Sequence, residues 1–258
     1  MCEALCISRK TYYKYRNETD PDYYDYKLIK KVFDESKGTY GYRRIQEGLK
    51  IKFGVIFNHK KVHRIMFKFN LKPKYIKRLK IKHSGSRILA NIVPNIIKRR
   101  FRPTTINKIW CTDVTYLVKD GKTMYLSTIL DLFDRSVVAY KISKVNNLKI
   151  VTDVLNEAIC KRKNVHGLII HSDQGWQYTS FEYKAICNAN GIQISMSRAG
   201  MPIDDSPIEN WHSLLKKETL YNNNIISIEQ YVQLVKEWIE FYNSTRIKIR
   251  KLKSPNFF

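Results

Sequence analysis

After Pro103 the chain passes from scattered basic residues to an ordered succession of apolar runs, and that succession limits the possible folds more than any other feature. Ile109 to Val118 is rich in β-branched and aromatic residues, Asp120-Gly121 supplies a hairpin turn, and Thr123 to Leu132 continues as a second strand. Val137 to Ser143 makes a third. From Asn147 to Lys161 the period changes, with Ile150, Val154, Leu155 and Ile159 at helical spacing, and a short apolar strand follows from Gly167 to His171. A helix over Phe181 to Asn190, a strand over Ile192 to Ser197 and a helix begun by Ser206 and Pro207 complete the series. The order β-β-β-α-β-α-β-α predicts an α/β fold, a mixed five-stranded sheet covered by helices.

This is the element order of the ribonuclease H-like fold, and three acidic residues fall where that topology gathers side chains at one end of the sheet. Asp113 lies within the first predicted strand, an apolar setting where an unpaired carboxylate is costly. Asp173 ends the fourth strand in His171-Ser172-Asp173-Gln174-Gly175, and Glu209 falls in the first turn of the helix that Ser206 and Pro207 open as N-cap and N1. Close carboxylates repel and stay ionised together only with cations between them. Oxygen ligands suit Mg²⁺ or Mn²⁺, and two such ions activate a water or a 3′-hydroxyl while stabilising the leaving oxygen of a phosphodiester. Helical spacing sets His212, Ser213 and Lys216 on the face of Glu209, with Lys216 placed to meet a phosphate. Taken singly, each acid also has a structural reading: Asp113 as a buried acceptor, Asp173 as a turn residue, Glu209 as a charge at a helix N-terminus. Asp204 and Asp205 compete with Glu209 for the third position from a softer loop setting, while Asp131 and Asp134 read as turn and strand-end charges.

The net charge of +24 points to a polyanionic partner, and its distribution is uneven. Residues 1–103 hold 27 Lys/Arg against 8 Asp/Glu, whereas residues 104–258 hold 20 against 15, so a general bias towards lysine does not account for it. Residues 1–20 read as a partial helix-turn-helix. Residues 21–71 read as a small all-helical DNA-binding domain: Tyr24, Leu28, Val32 and Phe33 line a helix stopped by Gly38, a second helix spans Tyr42 to Ile51, and Asn58 caps a third with Val62, Ile65, Met66 and Phe69 on one face. Arg43, Arg44, Lys60, Lys61 and Arg64 are its candidate DNA contacts, with a plain solvated basic surface as the alternative. His59 and His63 stand four apart, but no paired cysteines follow at zinc-finger spacing. Residues 72–103 have the composition of a basic linker, residues 104–222 make the catalytic core, and residues 223–258 a C-terminal helix and tail.

No apolar run reaches the roughly 18 residues of a membrane helix, and the N-terminus lacks the order of a signal peptide. Five scattered cysteines form no C-x-x-C pair and imply neither a disulfide framework nor a zinc site. A cytoplasmic, nucleoid-associated protein is expected.

Asp113, Asp173 and Glu209, with 35 residues between the last two, resemble the D,D(35)E motif of retroviral-integrase-type recombinases. The surrounding words WCTDVTYL, HSDQGWQYTS and GMPIDDSPIENWHSLLKKE are similar to those of the second-frame (OrfB) transposases of the bacterial insertion-sequence family numbered three. The resemblance extends back through GTYGYRRI and NHKKVHRIM and forward to FYNSTR and LKSPNFF, nearly the whole chain. It implies a DNA transposase that nicks element ends by metal-assisted hydrolysis and joins the freed 3′-hydroxyls by transesterification. Asp113 and Asp173 would bridge two Mg²⁺ or Mn²⁺ ions, Glu209 would complete the site, Lys216 would steer DNA, and Trp176 and Tyr178 would stack on target DNA or serve the core. It further implies double-stranded DNA and further copies of the chain as partners, and an upstream-frame fusion or partner that supplies a complete helix-turn-helix and zipper. A non-catalytic regulator that occupies element ends is the alternative function.

Overall fold

The computed structural model describes residues 6, 8–10, 12, 20–74, 93–198, 201–221 and 223–247. The expected partial helix-turn-helix of residues 1–20 lies almost wholly outside them. Two units make up the chain: residues 1–75 with 246–258, and residues 76–245.

The first unit packs α1 (Tyr23–Glu35), α2 (Tyr42–Phe53) and α3 (His59–Lys68) around Ile29, Val32, Ile45, Leu49, Val62, Ile65 and Met66. The buried stripe of α1 is displaced from the expected one. Ile29 and Val32 face inward and Tyr24 is 72% exposed, because contact with two helices selects the i, i+3 pair nearest both. Gly48 allows α1 and α2 to meet closely, since a Cβ there would stand 2.6 Å from Val32 Cγ1. Asn58 accepts a hydrogen bond from Lys60 N and caps α3 as expected. Asp22 fastens the start of α1 to α3 by accepting from both Arg64 Nη atoms at 2.7 Å and from Lys68 Nζ at 2.9 Å.

In the second unit β1 (Ile109–Lys119), β2 (Lys122–Asp131) and β3 (Val137–Ser143) form an antiparallel meander. The β1–β2 turn is Asp120-Gly121, both at positive φ, the twist that a two-residue hairpin requires. After α4 (Leu148–Arg162), β4 (Ile169–Ser172) pairs parallel with β1. Then α5 (Trp176–Thr179) and α6 (Phe181–Ala189) lead to β5 (Gln193–Met196), parallel to β4, giving the order β3-β2-β1-β4-β5. A 3₁₀ turn (Pro202–Asp205) runs into α7 (Ser206–Glu218), and α8 (Ile228–Ser244) follows.

Successive residues of β1 serve opposite faces of the sheet. Trp110 joins Ile150, Val154 and Leu155 of α4, while Cys111 joins Trp211 and Leu215 of α7 and Tyr231, Val235 and Trp238 of α8. Two apolar faces need two covers, so α8 belongs to the core rather than to a separate C-terminal piece. Part of the expected linker is also packed: Ile97 is buried, and Val93 and Phe101 lie against the two cores.

Candidate active site

Parallel pairing of β1 with β4 sets Cys111 opposite His171. Asp113, inside β1, and Asp173, just past β4, each lie two residues further on along these adjacent parallel strands. Asp113 Oδ1 accepts from Val114 N at 2.7 Å, and Oδ2 lies 3.3 Å from His212 Nδ1. Asp173 stands one residue beyond the end of β4, where its Oδ1 accepts from Gly175 N at 2.9 Å. A Cβ on Gly175 would lie 2.9 Å from that oxygen, so the loop turns around the carboxylate too closely for a side chain.

Glu209 occupies the first turn of α7, and Ile208, Trp211 and Leu215 hold that helix to the sheet. Asp204 anchors its approach. Its carboxylate, fully buried, accepts from Arg198 Nε at 2.7 Å, Arg99 Nε at 2.8 Å and Asn95 Nδ2 at 3.1 Å, and its backbone oxygen lies 2.9 Å from His171 Nε2. The guanidinium of Arg198 holds the Asp204 carboxyl far below the usual carboxylate range. Asp204 is thus a clamp on the turn and not a rival to Glu209. The expected N-cap is also corrected: Asp205, not Ser206, holds that position, because the 3₁₀ turn feeds straight into the helix.

The acids act on one another. Burial, then the charge of Asp113 and also that of Glu209, push the Asp173 carboxyl up to about 6 against the opposing hydrogen bond from Gly175. Burial together with the charges of Asp113, Asp173 and Glu209 raises Asp205 well above the carboxylate range. Lys216 is pulled below its ordinary value by burial, and the charge of Asp113 works against that shift. Lys216 and His212 thus approach Asp113 from α7. Among the described residues, no three His, Cys, Asp or Glu side chains stand placed to chelate one ion as they are. The chemistry of the donor set, carboxylates whose charges bear on Asp173, fits a hard divalent cation.

Trp176 is 51% exposed at the start of α5, whereas Tyr178 is 2% exposed and stands edge-on to Tyr183 in the core. Stacking of Tyr178 on a base is therefore ruled out by its packing. In the first unit Arg43 and Lys60 are exposed, and Arg43 and Arg44 lie over the rings of Tyr42 and Tyr40. Lys61 pairs with Asp25 at 2.6 Å and Arg64 with Asp22, so these two cations are engaged within the unit. Sequence reading did not single out Gly175, although its place two residues after a strand-end aspartate was a usable signal.

Residues 103–202 match the integrase core domain family, residues 209–258 a second integrase core domain family and residues 22–78 the HTH-like domain family. With the five-stranded mixed sheet, these define an integrase-core protein that carries a helical domain ahead of the core. InsK of insertion sequence element IS150 from Escherichia coli (strain K12) is 35% identical over 253 residues, covering 97% of this chain and 88% of that protein. The transposase for insertion sequence element IS904 of Lactococcus lactis subsp. lactis (strain IL1403) is 35% identical over 232 residues, covering 89% and 91%. This chain belongs to the insertion-sequence transposases of the IS3 type. Among solved structures, the HTLV-2 integrase catalytic core domain in complex with magnesium aligns with a TM-score of 0.44 at 18% identity, covering 55% of this chain and 88% of that one. No helix among the described residues is long and apolar enough to cross a membrane.

Proposed function

We propose that the chain cuts DNA at the ends of its insertion sequence and joins the freed 3′-hydroxyls to target DNA, with divalent ions held by Asp113, Asp173 and Glu209. The observation that supports this reading is the β1–β4 register, which brings Asp113 and Asp173 onto neighbouring strands, where burial and then the charge of Asp113 push the Asp173 carboxyl up to about 6. Two Mg²⁺ or Mn²⁺ ions, when bound, supply the activated nucleophile and the stabilised leaving oxygen. His212 orients Asp113, the Gly175 N–H orients Asp173, Lys216 meets a phosphate oxygen, and exposed Trp176 offers a stacking face to DNA. In hydrolysis, water adds to phosphorus and the 3′-oxygen leaves; in joining, that 3′-hydroxyl attacks a target phosphodiester and displaces its 3′-oxygen.

The helical unit binds double-stranded DNA through exposed cations such as Arg43 and Lys60. Holding two element ends together calls for several copies of the chain, with an upstream-frame partner adding end specificity, and places the protein on the nucleoid.

A labelled element-end duplex, incubated with Mg²⁺ or Mn²⁺ and either the intact chain or Asp173→Asn, tests the reading. Metal-dependent nicks and joined products, lost in the variant, are expected. Nicks without joined products would make the protein a ribonuclease H-type nuclease. Binding with no chemistry, even for the upstream-frame fusion, would make it a non-catalytic binder of element ends.

A further inference from the structure

Asp205 occupies the N-cap of α7, yet its side chain makes no cap hydrogen bond. An aspartate there ordinarily accepts from a backbone N–H two or three residues on, and that bond is what favours the residue at the position. The Asp205 side chain is directed elsewhere. The residue is 5% exposed and its Oδ1, fully buried, has no hydrogen-bond partner among the described residues. The charges of Asp113, Asp173 and Glu209 all bear on it, and its own charge is felt at Cys111, two residues before Asp113 on β1. Neighbouring Asp204, clamped by Arg198 and Arg99 and joined through its backbone oxygen to His171, holds the turn in place.

A buried carboxyl oxygen with no donor among the described residues, within electrostatic reach of three further carboxylates, is an arrangement that proteins keep only when something compensates it. Serine or asparagine would cap the helix without that burden. We propose that Asp205 supplies a fourth carboxyl oxygen to the divalent-cation site of Asp113, Asp173 and Glu209, an inference that rests on the metal-dependent reading of that site. Hard cations take six or more oxygen ligands, so a fourth protein oxygen still leaves room for water and for a phosphate.

The test is Mn²⁺ titration of the full chain by calorimetry, comparing the unaltered protein with Asp205→Asn, Asp205→Ser and Asp173→Asn, each checked for fold by circular dichroism. The two Asp205 variants differ in size, and serine is a good helix cap, so at least one is expected to fold. Both are expected to bind Mn²⁺ about tenfold more weakly or worse, to melt higher than the unaltered chain without metal, and to show a smaller Mn²⁺-induced rise in Tm. Affinity within about twofold of the unaltered chain for the Asp205 variants, together with loss of binding in Asp173→Asn, overturns the role of Asp205 and leaves the three-carboxylate site standing. No saturable Mn²⁺ binding by the unaltered chain overturns both.

Discussion

His212 Nδ1 lies 3.3 Å from Asp113 Oδ2, which ties the middle of α7 to the central strand of the sheet at its acidic end. The imidazole is buried, and Trp211 and Leu215 beside it hold the helix to the sheet, so the contact limits the positions open to the Asp113 carboxylate. His212→Ala is expected to slow end cleavage roughly 10–100-fold and to raise the Mg²⁺ concentration needed for half-maximal rate, with DNA affinity retained. A rate loss that excess Mg²⁺ does not lessen would assign His212 to packing alone.

Gly175 leaves no room for a side chain beside Asp173. Gly175→Ala must displace the carboxylate or the loop by several tenths of an ångström. The expected outcome is a cleavage rate reduced at least about tenfold with little change in duplex affinity, since misplacing a reacting group acts on the transition state. Single-turnover cleavage alongside filter binding separates the two effects.

The raised Asp173 carboxyl makes stability depend on pH in a defined sense. Below about 4 the group is protonated in folded and unfolded chains alike and imposes no penalty. Between about 4 and 6 the unfolded chain gives up its proton while the folded chain keeps it, so stability falls as pH rises, by at most about 3 kcal/mol, and is level thereafter. The difference in Tm between the unaltered chain and Asp173→Asn should therefore grow across that window and shrink when Mn²⁺ is added. A difference that does not change with pH would show that burial and the neighbouring charges do not raise the Asp173 carboxyl.

Asp204 is expected to be structural. Asp204→Asn weakens the bonds from Arg198, Arg99 and Asn95 together and should lower stability by roughly 1–3 kcal/mol in denaturant unfolding. Arg198→Ala should cost less, because Arg99 and Asn95 remain. Equal or reversed effects would contradict the clamp.

Of the cations on α3, Lys60 is exposed and has no acidic partner among the described residues, whereas Arg64 is held by Asp22. Lys60→Ala should lower DNA affinity and reduce the salt slope of binding by about 1, while Arg64→Ala should chiefly destabilise the helical unit. Salt titrations of duplex binding and thermal melts of the same two variants decide it.

Much of the fold was legible in local patterns. The hairpin at Asp120-Gly121, the helix stop at Gly38 and the cap at Asn58 are set by residues within a few positions of one another, and the structure has them where the sequence puts them. Strand β3 has the predicted limits, and the order of apolar runs determines the order of elements. The candidates Asp113, Asp173 and Glu209 were visible as an acid inside an apolar strand, an acid at a strand end and an acid in the first turn of a helix.

Tertiary structure alone decided which cations and acids found partners. Arg64 looks as free as Lys60 in the sequence, but Asp22, forty-two residues away, takes its guanidinium. Tyr178 looks as available as Trp176, but the turn of α5 sends one ring into the core and leaves the other outside. Asp204 and Asp205 are adjacent and chemically identical, yet one is paired with Arg198 and the other is buried where the charges of Asp113 and Asp173 bear on it. Hydrophobic period and turn chemistry are local and can be read along the chain. Burial, charge pairing and unsatisfied oxygens depend on groups brought together from distant segments, so for Asp205 the packing of α7 against β1 made the difference between an ordinary helix cap and a buried carboxyl.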